Sequence, residues 1–430
     1  MKQITSALLF SFTLSLTADA AENWPRFRGP AGTGHHVGAP LPTKWGPQNI
    51  LWRVELKGDG HSSPVNWGHR IFLTTATDQG RTRFVLALDA RDGKLLWERA
   101  ISCDSPGKTH GMNSFATPTC VTDGERVIAF FDRAGIHCFD LDGKPLWSQT
   151  LGEFPGPWGV AASPILVGDR VIQNCDAQGP SSIVALDKKT GKILWRTPRE
   201  DKPMGGWSTP IEIRAGNRSE VVVNCQTGLD AYDPATGKPL WNCRGFNGRG
   251  EPVPEFAHGL LFAVNGLPGD VYAVRPGGSG DVSETHRVWH TPRPKVRDVA
   301  SPIVVGDYLF VIDMKGIATT YEARSGKVLW SETIPVVPAS STAQGASGKA
   351  AAPQKIRSAF TASPIESGGL IYLNTEFGET LVIRPGPKLD IIARNSLGDR
   401  AGELFRASPA PINGRLYLRS NRALYCIGAK

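Results

Sequence analysis

The sequence predicts an all-β fold, an eight-bladed β-propeller of four-stranded antiparallel blades. Three observations carry this: a tryptophan recurring in one register, a Ser/Thr-Pro pair recurring every 44 to 62 residues, and strand fragments orphaned at both ends of the repeat array. The tryptophan unit is clearest at Ala185-Leu186-Asp187-Lys188-Lys189-Thr190-Gly191-Lys192-Ile193-Leu194-Trp195. It is echoed from Ala87 to Trp97, Cys138 to Trp147, Ala231 to Trp241 and Thr320 to Trp330. Trp289 ends a longer version, and Leu51-Trp52 is the tail of one whose beginning is missing, which puts seven tryptophans in register.

The second half of each repeat starts at Ser63-Pro64, Thr117-Pro118, Ser163-Pro164, Thr209-Pro210, Ser301-Pro302, Ser363-Pro364 and Ser408-Pro409, with a degenerate eighth start expected around Ala257-His258. The longest gap contains an Ala/Ser/Gln/Gly/Lys-rich insertion, 336–355. Within the third repeat, strands are expected at 161–167, 170–176, 182–187 and 192–197, separated by turn residues. Four antiparallel strands in a unit of this length make one propeller blade. The recurring Asp and Gly suit the turn between the third and fourth strands, because Asp bonds nearby amides and Gly takes positive φ. The tryptophan that ends the unit is read as mortar between blades. The last repeat stops at Tyr425-Cys426-Ile427 without a fourth strand, and 51–56 supplies one without the preceding three. Together they close the ring and remove its exposed edges.

Residues 1–20 carry Lys2, an apolar run from Ile4 to Leu16, and Ala18-Asp19-Ala20 in the small-x-small form of a signal-peptidase site. Cleavage is expected near Ala20, leaving 21–430 as a single propeller domain that is exported to the periplasm or beyond. No later run reaches the roughly 20 apolar residues of a membrane span. The net charge of +8 is scattered. Its densest cluster, Arg293, Lys295 and Arg297, falls short of the continuous basic stripe of a nucleic-acid footprint. An anionic partner such as lipopolysaccharide or an acidic glycan is compatible with it. Seven cysteines form neither a C-x-x-C nor an adjacent pair. Most read as structural thiols, with one bridge, Cys120 to Cys138, open to form within a repeat.

The A-x-D-x-x-T-G-K-x-x-W unit resembles the docking pattern of the pyrroloquinoline-quinone-type propellers, over about 24–427. The opening Trp24-Pro25-Arg26-Phe27-Arg28-Gly29-Pro30, together with 113–147 and 162–195, is similar to the exported PQQ-binding-like propellers of Planctomycetes and related bacteria. The wider family includes quinoprotein alcohol dehydrogenases and the non-enzymatic propeller that assists outer-membrane protein assembly. Its enzymes imply pyrroloquinoline quinone with calcium, held by acidic and amide side chains over a tryptophan floor, commonly beneath a disulfide of adjacent cysteines. Here there is no Cys-Cys pair and no C-x-x-C-H, and the sequence also lacks H-E-x-x-H, G-x-S-x-G and a Walker loop.

The leading expectation is therefore a non-catalytic binding or scaffold propeller of the cell envelope, taking a protein, glycan or small ligand on one face. A PQQ-dependent alcohol or sugar oxidoreductase is the alternative, and a polysaccharide-acting hydrolase or lyase a weaker one. No catalytic or metal-ligating residue is assigned. Each fourth strand must cross one face to reach the next first strand, so residues just before each Ser/Thr-Pro should ring the channel mouth. They are His61, His110, Asn113, Trp158, Trp207, His258, Arg297, Asp298, Phe360 and Arg406, with Phe115, Phe256 and Phe405 beside them. Trp158 and Trp207, from adjacent repeats, could flank a planar ligand or sugar ring while Arg297 or Arg406 holds an anionic group. The competing reading is that these aromatics plug the channel.

Overall fold

The structure is a computed structural model describing residues 22–199, 203–246, 248–267, 269–293, 296–336, 359–398 and 402–429. The leader and all of the insertion after Val336 lie outside the described residues. Eight sheets form the blades: 1 (65–102), 2 (121–149), 3 (165–199), 4 (211–244), 5 (255–291), 6 (303–333), 7 (365–396) and 8 (410–427 with 50–55). Blade 8 takes its fourth strand, Ile50–Glu55, from the N-terminal side, antiparallel to Ala423–Ile427, so the ring closes as the orphan ends imply. Two blades gain a parallel edge strand, Gly280–Asp281 outside blade 4 and His35–His36 inside blade 7. Burial grades outward. Second strands such as Leu260–Val264 are buried throughout, whereas fourth strands such as Ile193–Arg199 alternate. The first are pressed between neighbouring blades on both faces and read as continuous apolar runs; the second show solvent every other residue.

The docking unit follows from one recurrent bulge. The register between third and fourth strands shifts at Ala87/Leu88, Ala185/Leu186, Ala231/Tyr232, Ala273/Val274 and Thr320/Tyr321, and this sets each tryptophan directly opposite a small residue. Cys138 and Cys426 occupy the same small position opposite Trp147 and Trp52. The indole then reaches into the next blade's turn. Trp97 Nε1 donates to Leu141 O at 2.8 Å, Trp147 to Lys188 O at 3.0 Å and Trp195 to Pro234 O at 3.1 Å. Each ring lies on the turn glycine of that blade: a Cβ on Gly143 would meet Trp97 at 2.6 Å, and one on Gly191 would meet Trp147 at 2.5 Å. The Asp of the motif holds the same turn, as where Asp187 Oδ1 accepts from the Thr190 amide and hydroxyl, both at 2.8 Å.

The Ser/Thr of each start serves the ring as a whole. Ser63 N donates to Thr119 Oγ1, Thr119 N to Ser163 Oγ, and Ser163 N to Thr209 Oγ1, each at 2.9 Å. Val253 N donates to Ser301 Oγ, Ser301 N to Ser363 Oγ, Ser363 N to Ser408 Oγ, and Ser408 N to Ser63 Oγ, at 2.9 to 3.0 Å. This belt caps the channel edge of every first strand but that of blade 4, where Val253 offers Thr209 N no hydroxyl. The proline that usually follows has no N–H to leave unpaired there. Two starts differ from the sequence expectation. Blade 2 begins at Thr119-Cys120, two residues after Thr117-Pro118, and blade 5 begins at Val253-Pro254 rather than around Ala257-His258. Valine interrupts the hydroxyl pattern at blade 5, so the start carries no visible signature.

The channel is stoppered by the segment just before the first blade. Trp24 N bonds Asn66 Oδ1 at 2.6 Å in blade 1, and Pro25 O accepts from Thr122 N in blade 2. Arg26 Nη2 donates to Pro210 O in blade 4 at 3.1 Å. Arg28 Nη2 donates to Pro302 O in blade 6 at 2.7 Å and meets Glu255 of blade 5 at 3.3 Å. His35 bridges Glu255 and Glu366 at 3.0 and 3.1 Å, and Glu22 N bonds Asn413 in blade 8. Gly29, at φ 77°, turns the chain back under the Trp24 ring, which leaves no room for a Cβ. The Trp-Pro-Arg-Phe-Arg-Gly-Pro opening is therefore a tether to blades around the axis. All seven cysteines are buried free thiols. Cys120 and Cys138 sit at first-strand and third-strand positions, with the second strand between them.

Candidate functional site

Above the stopper the channel opens into a cavity of about 170 Å³. The eight belt positions and Phe27 form its floor, and all eight inter-blade crossovers contribute to its walls. Of the sequence-expected residues, His61, His110, Asn113, Trp158, Trp207, Arg297 and Arg406 line it. Asn113 Nδ2 donates to Trp158 O and Val160 O at 3.0 and 3.1 Å, locking two crossovers together. The His110 and Trp158 rings lie 5.1 Å apart. Burial, with Arg406 and Arg419 nearby, pushes the His61 imidazole down to about 3 and keeps it neutral.

Three expected residues lie elsewhere. His258 sits in the hairpin turn between the first and second strands of blade 5, exposed and bonded to Gly306 O at 2.8 Å. The misplaced blade 5 start carried it there, along with Phe256, which belongs to a first strand. Asp298 is fully buried in a pair with Arg293 at 2.9 Å, and burial, opposed by that arginine, raises its carboxyl to about 7. Phe360 packs between blades 6 and 7, its ring against Gly316. Phe115 on Gly80 and Phe405 on Gly378 do the same. These phenylalanines are mortar at the rim, and the channel is closed by 22–36 instead.

The sequence reading passed over Arg249 and Glu251, which precede Val253 as His61 precedes Ser63. Arg249 lies 4.9 Å from the Trp158 ring centroid and 5.8 Å from that of Trp207. The planar group set against the two indoles is thus the protein's own guanidinium. Arg297 is held by Glu251 at 2.8 Å and Arg406 by Glu376 at 3.3 Å. Burial pushes the Glu251 carboxyl up, against the pull of Arg297.

These residues do not fit a calcium-held quinone. Glu251 is the single carboxylate in the lining and is taken by Arg297, while Arg249 covers both indoles. Nor do the belt hydroxyls pair with a base among the described residues; each accepts a backbone N–H from the neighbouring blade. Thr361, higher in the wall, donates its hydroxyl to Glu376 at 2.8 Å, a carboxylate that Arg406 also engages. The arrangement can bind and orient a ligand.

A family profile described as outer membrane protein assembly factor BamB matches residues 46–173, 81–244 and 179–353. BamB of Burkholderia pseudomallei (strain K96243) is 24% identical over 289 residues, covering 65% of this chain and 68% of that protein. BamB of Moranella endobia (strain PCIT) is 25% identical over 312 residues, covering 69% and 65%. Quinate/shikimate dehydrogenase (quinone) of Acinetobacter baylyi is 24% identical over 252 residues, but these span 42% of this chain and 30% of the enzyme. Among solved structures, BamB from Moraxella catarrhalis matches with a TM-score of 0.61 at 16% identity, covering 89% of this chain and 97% of that one. At that identity the likeness shows the fold. Among the described residues no helix is long and apolar enough to cross a membrane.

Proposed function

The chain belongs to the family described as outer membrane protein assembly factor BamB, and from that premise we propose an exported, non-catalytic binding scaffold of the periplasm. It presents its channel mouth to an envelope partner. The observation that carries this reading is a channel open at one end only. The floor is sealed by 22–36, and the rim is assembled from a crossover of every blade around fixed polar groups. A cup of this kind suits an inserted side chain or ligand. A quinoprotein reading draws on the dehydrogenase relatives, yet the donor set at the mouth speaks against it.

The test places a photo-crosslinking side chain at Met112 or Thr361 on the rim, and at the exposed Lys189 on the opposite face, in the bacterium of origin. Discrete adducts with an envelope protein from the rim positions alone are expected. Purified protein given pyrroloquinoline quinone and calcium should show no dye-linked alcohol oxidation; cofactor-dependent turnover would overturn the proposal.

A further inference from the structure

Resting on that reading of the mouth, the ligand's chemistry can be inferred from donors the protein leaves unanswered. The Arg249 side chain is only 16% exposed, and among the described residues its guanidinium donates no hydrogen bond. Among the described residues its ion-pair partner is Glu251, at 3.9 Å, already engaged by Arg297 at 2.8 Å. A guanidinium fork carries five N–H donors, open here to an acceptor that enters the cavity. Beside it Trp158 Nε1, buried, has no hydrogen-bond partner among the described residues. Below, most belt hydroxyls spend a lone pair on a neighbouring blade's N–H and keep the O–H to donate. Both groups are donors, and of the three arginines in the lining Arg297 and Arg406 are held by Glu251 and Glu376, which leaves Arg249 to meet a ligand. The occupant must therefore supply acceptors and negative charge.

Charge density narrows the class. Phe27, Met112, Val253, Val299 and the two indoles make much of the wall apolar, so a dianion would be desolvated at greater cost than a monoanion. A planar two-oxygen group also matches the arginine fork in bidentate geometry. We propose that the mouth binds a small carboxylate, its two oxygens on the Arg249 fork and the Trp158 Nε1 donor, and its body over the hydroxyl belt. The volume admits one sugar-sized unit, so a sugar acid, free or at the end of an acidic chain, is the class tested.

Calorimetry at low salt with glucuronate, a trimer of galacturonate and neutral glucose separates the sources. Saturable binding of either acid with none of glucose is expected, and the trimer outbinding the monomer identifies a chain end. Arg249→Met should weaken the acid by about 10- to 100-fold, the loss of a charged hydrogen bond. Arg249→Lys should restore part of it, and Trp158→Phe, which keeps a ring, should weaken binding several-fold. Lys189→Ala on the far face should change nothing. Should Arg249→Met fail to fold, the Lys and Phe variants decide. Equal binding of glucose, no binding of either acid at millimolar concentration, or unchanged affinity in the folded Arg249 variants would overturn the assignment. Rim crosslinks that persist after such a failure leave the scaffold reading standing; their loss strikes that reading itself.

Discussion

Gly191→Ala tests the docking unit most directly, because the turn glycine answers two demands that can be separated. Gly191 holds φ at 72°, where an L residue is disfavoured by roughly 1–2 kcal/mol. Its Cβ would also fall 2.5 Å from the Trp147 ring, and forcing atoms into a packed contact costs about 1–3 kcal/mol more. Gly168 has a similar φ of 56° but nothing within 4 Å of its Cβ position. Gly168→Ala should therefore cost about 1–2 kcal/mol, and Gly191→Ala about 2–5 kcal/mol. In a Trp147→Ala background the Gly191 penalty should shrink to the backbone component, giving a coupling of about 1–3 kcal/mol. Urea unfolding followed by circular dichroism, with slopes compared across variants, reads each value. Equal penalties for the two glycines in the wild-type background, or additivity with Trp147→Ala, would refute the idea that one blade's indole rests on the next blade's glycine.

Trp195→Ala should cost about 2–3 kcal/mol, below the 3–5 of a fully buried indole, because the ring is only half-buried; denaturant midpoints report it. Val253→Thr supplies the missing belt hydroxyl opposite Thr209 and should stabilise by about 0.5–1.5 kcal/mol, whereas a fall in melting temperature would show that Thr209 needs no acceptor there. Arg28→Met leaves the buried Glu255 with His35 as its remaining charged partner and releases the Thr33 and Pro302 carbonyls, and should cost about 3–5 kcal/mol, while Arg26→Met, which releases only a backbone carbonyl, should cost about 1 kcal/mol. Stability should fall toward both pH extremes. His35, raised to about 9 against burial by its bonds to Glu255 and Glu366, contributes fully below pH 6.5 and is lost as pH rises through 9. His61, held near 3, resists protonation that the unfolded chain accepts, so stability falls as pH drops from 6.5 toward 3. Melting curves of His35→Gln and His61→Gln should flatten the alkaline and acid limbs respectively.

Blade number, ring closure and the docking tryptophans were legible because each is repeated locally, and a pattern that recurs at fixed spacing survives the loss of any one copy. The belt was half legible. Its Ser/Thr-Pro signature marks six of the eight places, but the hydroxyl's partner lies 44 to 62 residues away in the preceding blade, or 345 where Ser408 meets Ser63, a relation no local pattern displays. At blade 5 the signature fails at Val253, and that single substitution moved the expected site to His258 and hid Arg249 and Glu251. Counting 44 residues on from Thr209, the interval that separates Thr119 from Ser163, would have reached Val253. Trp158, Trp207, Arg297 and Arg406 could be placed at the rim from chain path alone. That Arg249 already lies against both indoles could not, since it depends on side-chain directions from three crossovers. The stopper was invisible for a different reason: 22–36 belongs to no repeat, and its resemblance to other sequences identifies a segment without saying where it sits.

Ring closure also reverses the order of synthesis. Glu22 meets Asn413 across 391 positions, and Ile50–Glu55 has no sheet to join until Ala423–Ile427 exists. The fourth strand of blade 8 is thus made long before its sheet, and a chain halted after blade 7 would carry both an unfinished sheet and a tether short of its blade 8 contact. Contacts of such sequence separation are slow to form because the loop must close before anything rewards it. An open array of repeats can fray from one end and keep the rest. This ring has no end to fray from, and its stability arrives in one step when the two termini of the fold are brought together.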